Sequence, residues 1–382
     1  MQVNSELRNR MLLAACVGVL AWSGPIVLIP ISLALPVLCH WPSGSINWRE
    51  RGFVAFAYFA AALWPVTAAG IQLYGIAAVP FLLVVSLAAS GLLAMPFCVP
   101  SVALPLVLTA VPPLGIIGVA NPITASGILF PHTAWFGLIA TLLLPGALIR
   151  FRNAVATPAA LVVLTLNAVY HSPEQPRGWQ GVNTNFGDIR DKKDRTAEFR
   201  AAQWIQETAL ASNARVLVFP ELAVTRWTEA TEAFWQPTTQ QLVAQRRTML
   251  IGAGIAIPGT RDYQNVLIAV PSLPGDETNY LSQSIPLPWV MWNPIAAKDR
   301  VPLRLWSGGI LNVDDERAAV LICYEQLISW PILKSTFGNP TAIVAISNAV
   351  WTRGTPIPAV QSASVVAWSR LFHLPVISSV NQ

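Results

Sequence analysis

Two short apolar runs in this chain end in residues that can do chemistry. Ala318 to Trp330 reads AAVLICYEQLISW: small and β-branched residues stop abruptly at Cys323, Tyr324 and Glu325, and the chain then turns towards a proline. That is the pattern of a buried strand delivering a thiol and a carboxylate at its C-terminal end. Arg215 to Glu221, RVLVFPE, has the same shape and ends in a second carboxylate. Cys323 is the only cysteine in the second half of the chain, so no disulfide partner stands near it. A lone buried cysteine is by default a packed core thiol. Two strand ends carrying Glu221 and Cys323 predict instead one active site at one edge of a sheet.

A thiol attacks a carbonyl as its thiolate, so Cys323 needs a general base and something to hold the oxyanion. Glu221 is the candidate base, in apolar surroundings that raise its proton affinity. A cation or backbone donors must face the oxyanion. Between Glu221 and Cys323 the chain has one lysine, Lys298, which otherwise reads as a solvated loop charge beside Asp299 and Arg300. If the chain turns tightly after Cys323, Glu325 supports the site. A third strand, Ala342–Ser347, runs into Asn348-Ala349-Val350-Trp351, a loop able to reach the same edge.

Other chemistries find little footing. No glycine-rich phosphate loop, CxxC pair or metal-spaced histidine cluster occurs, so no cofactor or metal is expected. A Cys–His pairing would have to use His373, which stands just past a helix end and reads as a cap. No basic cluster with interleaved aromatics points to nucleic acid.

The elements that must position these groups fall in two parts. Of 382 residues 54% are hydrophobic and 11% charged, against about 25% charged in ordinary soluble domains. Before Tyr170 the only charges are Glu6, Arg8, Arg10, Arg49, Glu50, Arg51, Arg150 and Arg152. The composition changes near residue 171, at a linker-like SPEQPRG, which predicts a membrane domain over 1–170 and a second domain over 171–382. Seven apolar segments precede the boundary: Met11–Trp22, Ile26–Cys39, Phe53–Ala69, Ile76–Phe97, Val102–Val119, Trp135–Ile149 and Ala154–Tyr170. If the first two form a hairpin at Gly24-Pro25, the pairs Arg8/Arg10, Arg49/Arg51 and Arg150/Arg152 share one side of the bilayer. The positive-inside rule then places everything after His171 on the outer face of a multi-pass inner-membrane protein. A cleavable signal peptide is not expected. The spans carry no ionisable residues suited to transport.

After the boundary, Ala197–Leu210 is amphipathic at helical spacing, and helical patterns recur at Glu229–Phe234, Thr238–Arg247 and Val360–Leu371. Strand-like runs stand at Val216–Phe219, Met249–Ile257, Asn265–Val270, Ala318–Cys323 and Ala342–Ser347. Alternating strands and helices predict an α/β fold with sheets covered on their faces.

FPE, a lysine motif, ICYE, then ISNxxW before a helix containing Gln361 resemble the nitrilase (carbon–nitrogen hydrolase) superfamily. The preceding spans make the chain similar to its membrane apolipoprotein N-acyltransferase-like branch. PLPWVMWNP, ICYEQLISWP and AWSRLF are most similar to the conjugal-transfer TraB proteins of plasmid-borne systems. The resemblance covers the whole chain, strongly from about Val182. It implies a nitrilase-type α-β-β-α sandwich behind the helical membrane domain, and a Glu–Lys–Cys triad that makes a thioester from an acyl donor. Glu221 matches the base and Cys323 the nucleophile. Tyr324, Glu325, Asn348 and Trp351 match the flanking motif residues. The motif lysine falls at Gln283 or a neighbouring serine, and its glutamate near Met291, so Lys298 would have to supply the amine from elsewhere. Implied partners are the bilayer, a phospholipid acyl donor, a protein or small amine acceptor, and proteins of the conjugative apparatus. The alternative is a scaffold for conjugal transfer that keeps the fold without the full triad. The chain stops at Gln382, where these acyltransferases continue into further strands and a last membrane helix, which reads as truncation or loss of that span.

Overall fold

The computed structural model describes residues 5–40, 47–189, 196–271, 280–293 and 300–382. Two compact units result. One holds Met1–Pro173, Leu327–Trp330 and Gly354–His373; the other holds Glu174–Gln326, Pro331–Arg353 and Leu374–Gln382.

The first unit contains helices α1 (Ser5–Ala21), α2 (Ala34–His40), α3 (Trp48–Ala62), α4 (Trp64–Tyr74), α5 (Val79–Ala94), α6 (Leu104–Ala110), α7 (Ser126–Leu129) and α8 (Ala134–Val169). Among the described residues two stretches, Ile76–Cys98 and Ala134–Arg152, are long and apolar enough to cross a membrane; α3 and α4 make a third if that bent pair is one span. Several expected segments take other forms. Trp135–Ile149 and Ala154–Tyr170 join in α8, kinked at Phe151 (φ −131°, ψ 39°) between Arg150 and Arg152. Val102–Val119 is α-helical only over α6, with a 3-10 turn at Leu114–Ile116, because Pro112-Pro113 remove two amide donors from the next turn. Ile26–Cys39 splits into a 3-10 stretch, Ile26–Leu33, and α2.

A small residue allows α1 and α3 to pack closely. A Cβ on Gly18 of α1 would lie 2.5 Å from the Tyr58 carbonyl oxygen of α3. One buried chain of hydrogen bonds ties its helices together: Trp22 Nε1 donates to Tyr58 Oη (2.8 Å), and Tyr58 Oη donates to the Ala120 carbonyl (3.0 Å). Large apolar side chains such as Ile76 (84% exposed) and Phe136 (83%) point outward on the two long apolar stretches.

The second unit is α/β, as expected. Its strands are β1 (Trp179–Gly181), β2 (Val216–Val218), β3 (Val224–Trp227), β4 (Thr248–Ala256), β5 (Tyr263–Val270), β6 (Tyr280–Ser282), β7 (Ile310–Val313), β8 (Glu316–Ile322), β9 (Ala342–Asn348) and β10 (Val376–Asn381). One sheet runs β1-β2-β4-β5-β6, with β3 also on β4; the other runs β10-β9-β8-β7. Parallel strands β1, β2 and β4 meet antiparallel β5 and β6, while β10, β9 and β8 are parallel and β7 is antiparallel. Alternate residues of both sheets (Val218, Leu250 and Leu267 against Val320, Ile322 and Val344) form one core. The far face of the first sheet is covered by α9 (Ala197–Ala211) and α10 (Glu229–Ala244), through Ile205, Trp235 and Leu242. α10 is one helix where two were expected. Trp235 and Leu242, both fully buried, fix its two halves to the same face, which outweighs the hydrogen bond lost at Pro237. α11 (Ser329–Thr336) follows Cys323, and α12 (Ile357–Phe372) belongs to the first unit and is capped by His373 in the left-handed conformation (φ 54°, ψ 47°).

Candidate functional site

β8 ends at Ile322, and the chain breaks at once into a 3-10 turn that begins with Cys323. Cys323 has φ +51°. A non-glycine residue held there costs on the order of 1 kcal/mol or more, and such strain gathers at functional sites. Glu325, within that turn, is buried (2% exposed).

Glu221 arrives from the other sheet. The segment after β2 crosses β4 so closely that a Cβ on Gly252 would lie 2.5 Å from the Glu221 Cα. Only glycine permits that approach, and Leu222 follows with φ +51°. Glu221 and Cys323 are each 3% exposed, and the thiol is hydrogen-bonded to the Glu221 carboxylate. The two strand ends therefore meet, as their residue types suggested.

Three neutral groups fix Glu221 and its neighbourhood. Asn265 Nδ2 donates to Glu221 Oε1 (2.7 Å) and to Gln283 Oε1 (3.0 Å). Gln283 Nε2 donates to the Ile322 carbonyl (2.9 Å), the residue before the cysteine. The Asn348 backbone N–H donates to Glu221 Oε2 (3.0 Å). Asn348 is steadied by Asn381, whose Nδ2 donates to Asn348 Oδ1 (3.3 Å) while its Oδ1 accepts from Thr184 Oγ1 and Phe186 N. Trp351 packs, half-buried, against the inter-sheet core.

The electrostatics follow. Burial pushes the Cys323 thiol well up from its ordinary value; the Glu221 charge and its hydrogen bond push further, while backbone N–H groups of Asn348 and Tyr324 at the sulfur pull part way back. The phenol of Tyr324 is raised by burial as well. At neutral pH Cys323 rests as a thiol beside Glu221.

Glu325 is a second, separate carboxylate. Its Oε1 accepts from Ser284 N (2.8 Å), Ser284 Oγ (2.6 Å) and Ile285 N (3.1 Å), and its Oε2 accepts from Ile322 N (2.9 Å). It thereby ties the Gln283 strand end to the cysteine turn. Burial raises its carboxyl, against those four donors. Lys334 of α11 approaches from the same side: its Nζ donates to Ser284 Oγ (3.2 Å), and burial lowers its ammonium against the pull of Glu325.

Of the residues singled out in the sequence, Glu221, Cys323, Gln283, Glu325 and Asn348 come together, with Tyr324 and Trp351 adjoining. Lys298 lies outside the described residues. Asn265, Lys334 and Asn381 were not foreseen. Asn265 had left a mark, an amide at the start of the apolar run of β5, after Gln264, and its Oδ1 meets no donor among the described residues. No three histidine, cysteine or acidic side chains gather as a metal site among the described residues.

Comparison with known proteins places the whole chain. It is 33% identical over 399 residues to the "Probable conjugal transfer protein TraB" of Sinorhizobium fredii, covering 98% of this chain and 99% of that one. To the conjugal transfer protein TraB of Agrobacterium fabrum it is 32% identical over 400 residues, covering 97% and 91%. No protein-family model matches. Similar solved structures include a mutant of the Nesterenkonia AN1 amidase from the nitrilase superfamily (TM-score 0.38, 10% identity, 53% of this chain and 78% of that one). Another is the glutamine-dependent NAD+ synthetase of Acinetobacter baumannii (TM-score 0.28, 15% identity, 44% and 31%). The chain belongs to the TraB family of conjugal transfer proteins.

Proposed function

We propose that this member of the TraB family is a membrane-anchored cysteine acyl-transfer enzyme of the nitrilase type, an N-acyltransferase or amidase serving conjugal transfer. The observation that carries the reading is the buried hydrogen bond between the Cys323 thiol and the Glu221 carboxylate, at two strand ends drawn from different sheets. Glu221 would take the Sγ proton as sulfur bonds the acyl carbon of an ester or amide. The Tyr324 N–H, already turned to the sulfur, is placed to receive the oxyanion, with Lys298 as the second donor. Collapse breaks the C–O or C–N bond, and Glu221 returns the proton to the leaving group, which leaves an acyl thioester on Cys323. Water or an amine then attacks the thioester, with Glu221 again taking the proton and returning it to sulfur. The two spanning stretches favour a phospholipid donor, with a protein or small amine as acceptor.

Intact-mass spectrometry of the protein from native membranes, beside Cys323→Ala, tests the chemistry. The wild type should carry an acyl-sized increment that the variant lacks, and Lys298→Ala should change its amount. No increment after phospholipid and short amides are supplied would sink the enzyme reading. The scaffold reading would then stand, favoured by one observation: the neutral Gln283 occupies the place where the resemblance puts an amine.

The outward orientation is part of the proposal and rests on the arginine pairs. A reporter enzyme fused after Gln382 should be active outside the cytoplasm; activity inside would reverse the topology.

A further inference from the structure

Away from the cysteine, the first unit holds a groove of about 680 Å³, bounded by α1, α3 and the far end of the Ile76–Cys98 stretch. That is the scale of a small-molecule pocket, about 300–1,000 Å³. Its walls include Trp48, Phe53, Phe56, Gly91 and Met95, and among its lining residues Arg49 alone carries a full charge. Arg49 lies over the Trp48 ring, 5.1 Å from its centroid. Arg51, a neighbour on α3, donates to the Cys98 carbonyl (2.8 Å) at the end of the same stretch. The opposing carboxylate, Glu50, is turned back: its Oε2 accepts from the Asn47 N–H (3.2 Å) in a capping box. Cationic character therefore concentrates at one end of an apolar channel. The channel wall is a helix long and apolar enough to cross a bilayer, with Phe53 (41% exposed) and Met95 (65%) open at its lip.

We infer that this groove binds a single anionic phospholipid from the bilayer leaflet at the Arg49 end, its acyl chain along the aromatic wall and its phosphate at Arg49. An aromatic side chain and an arginine at the end of an apolar stretch match the headgroup level of a membrane. Anionic headgroups are drawn there by each nearby arginine. Gly91 keeps the channel open: a Cβ at this position meets nothing within 4 Å. Leucine there would fill the groove without displacing backbone and would favour the helix.

The test is native mass spectrometry of the full chain in detergent, titrated with phosphatidylglycerol or, separately, phosphatidylethanolamine. The wild type should retain one phosphatidylglycerol in clear preference to phosphatidylethanolamine. Arg49→Gln should weaken phosphatidylglycerol retention about fivefold and leave phosphatidylethanolamine unchanged. Gly91→Leu should reduce retention of either lipid at least about tenfold, with the helical circular dichroism of the wild type. Equal retention of both lipids by the wild type, or unchanged retention by Gly91→Leu, would overturn the site.

Discussion

Gln283→Lys should raise the rate at which iodoacetamide labels Cys323 at pH 8 by at least about tenfold, read by peptide mapping so that Cys16, Cys39 and Cys98 do not confuse the result. The reasoning is electrostatic. In the wild type every resolved influence of a charged group on the thiol comes from Glu221 and disfavours the thiolate. Gln283 is 1% exposed, bonded to the carbonyl that precedes Cys323 and to Asn265, the partner of Glu221, so an amine in its place would lie close to both groups. A cation about 5 Å from the sulfur, in an effective dielectric near 20, favours the thiolate by roughly 3 kcal/mol before its own desolvation. It also neutralises Glu221 and removes the repulsion that now raises the thiol.

The sign of the pH effect follows. A thiol raised in the folded state contributes stability that is complete below its unfolded pKa of about 8.5 and is lost as pH rises towards the folded value. The wild type should thus weaken above about pH 9, and Gln283→Lys should weaken less. An unchanged labelling rate with an intact fold would mean that position 283 does not address the sulfur.

Much of this site could be read from residue types and spacing because it stands at strand ends. Apolar runs reveal where β2, β8 and β9 lie, and the first polar residue after each run is what the sheet edge presents. Glu221, Cys323 and Asn348 were legible for that reason. Gln283 was found through motif correspondence, since β6 is only three residues long and half-buried and leaves little periodicity. Asn265 was hidden inside a strand, where an amide looks like a weak core residue until its partners are known. Lys334 and Asn381 act from elements whose proximity no local pattern encodes: one lies beyond the turn after Cys323, the other on the closing strand. The helical unit was less legible in its details. Hydropathy put a break between Ile149 and Ala154, where the kink at Phe151 stands, but showed neither that one helix runs through it nor the turns after α6.

Glu325→Ala should be the most damaging substitution at the site that touches neither Glu221 nor Cys323. Four donors converge on this one buried carboxylate, three of them backbone N–H groups of Ile322, Ser284 and Ile285. Removing the acceptor strands each of them at a buried residue (Ser284, Ile285 or Ile322), and an unsatisfied buried donor costs about 1–3 kcal/mol. It also leaves the half-buried Lys334 without the charge that opposes its desolvation. A loss of roughly 4 kcal/mol follows, a large part of the 5–15 kcal/mol typical of a domain, and the first structure to go is the link between the Gln283 strand end and the cysteine turn. Glu325→Gln separates shape from charge. It keeps one acceptor oxygen for Ser284 and Ile285 but turns an NH2 towards the Ile322 N–H, so it should lose less, about 2 kcal/mol. The two variants also differ from the wild type in pH response. Burial holds the Glu325 carboxyl above its ordinary value, so its contribution is complete below the unfolded carboxyl pKa and shrinks as pH rises through the folded one. The stability gap between wild type and Glu325→Gln, followed by thermal unfolding in detergent, should therefore be wider at pH 5 than at pH 8. A gap that widens with pH would mean that the ionised carboxylate, with Lys334 beside it, is what holds the turn.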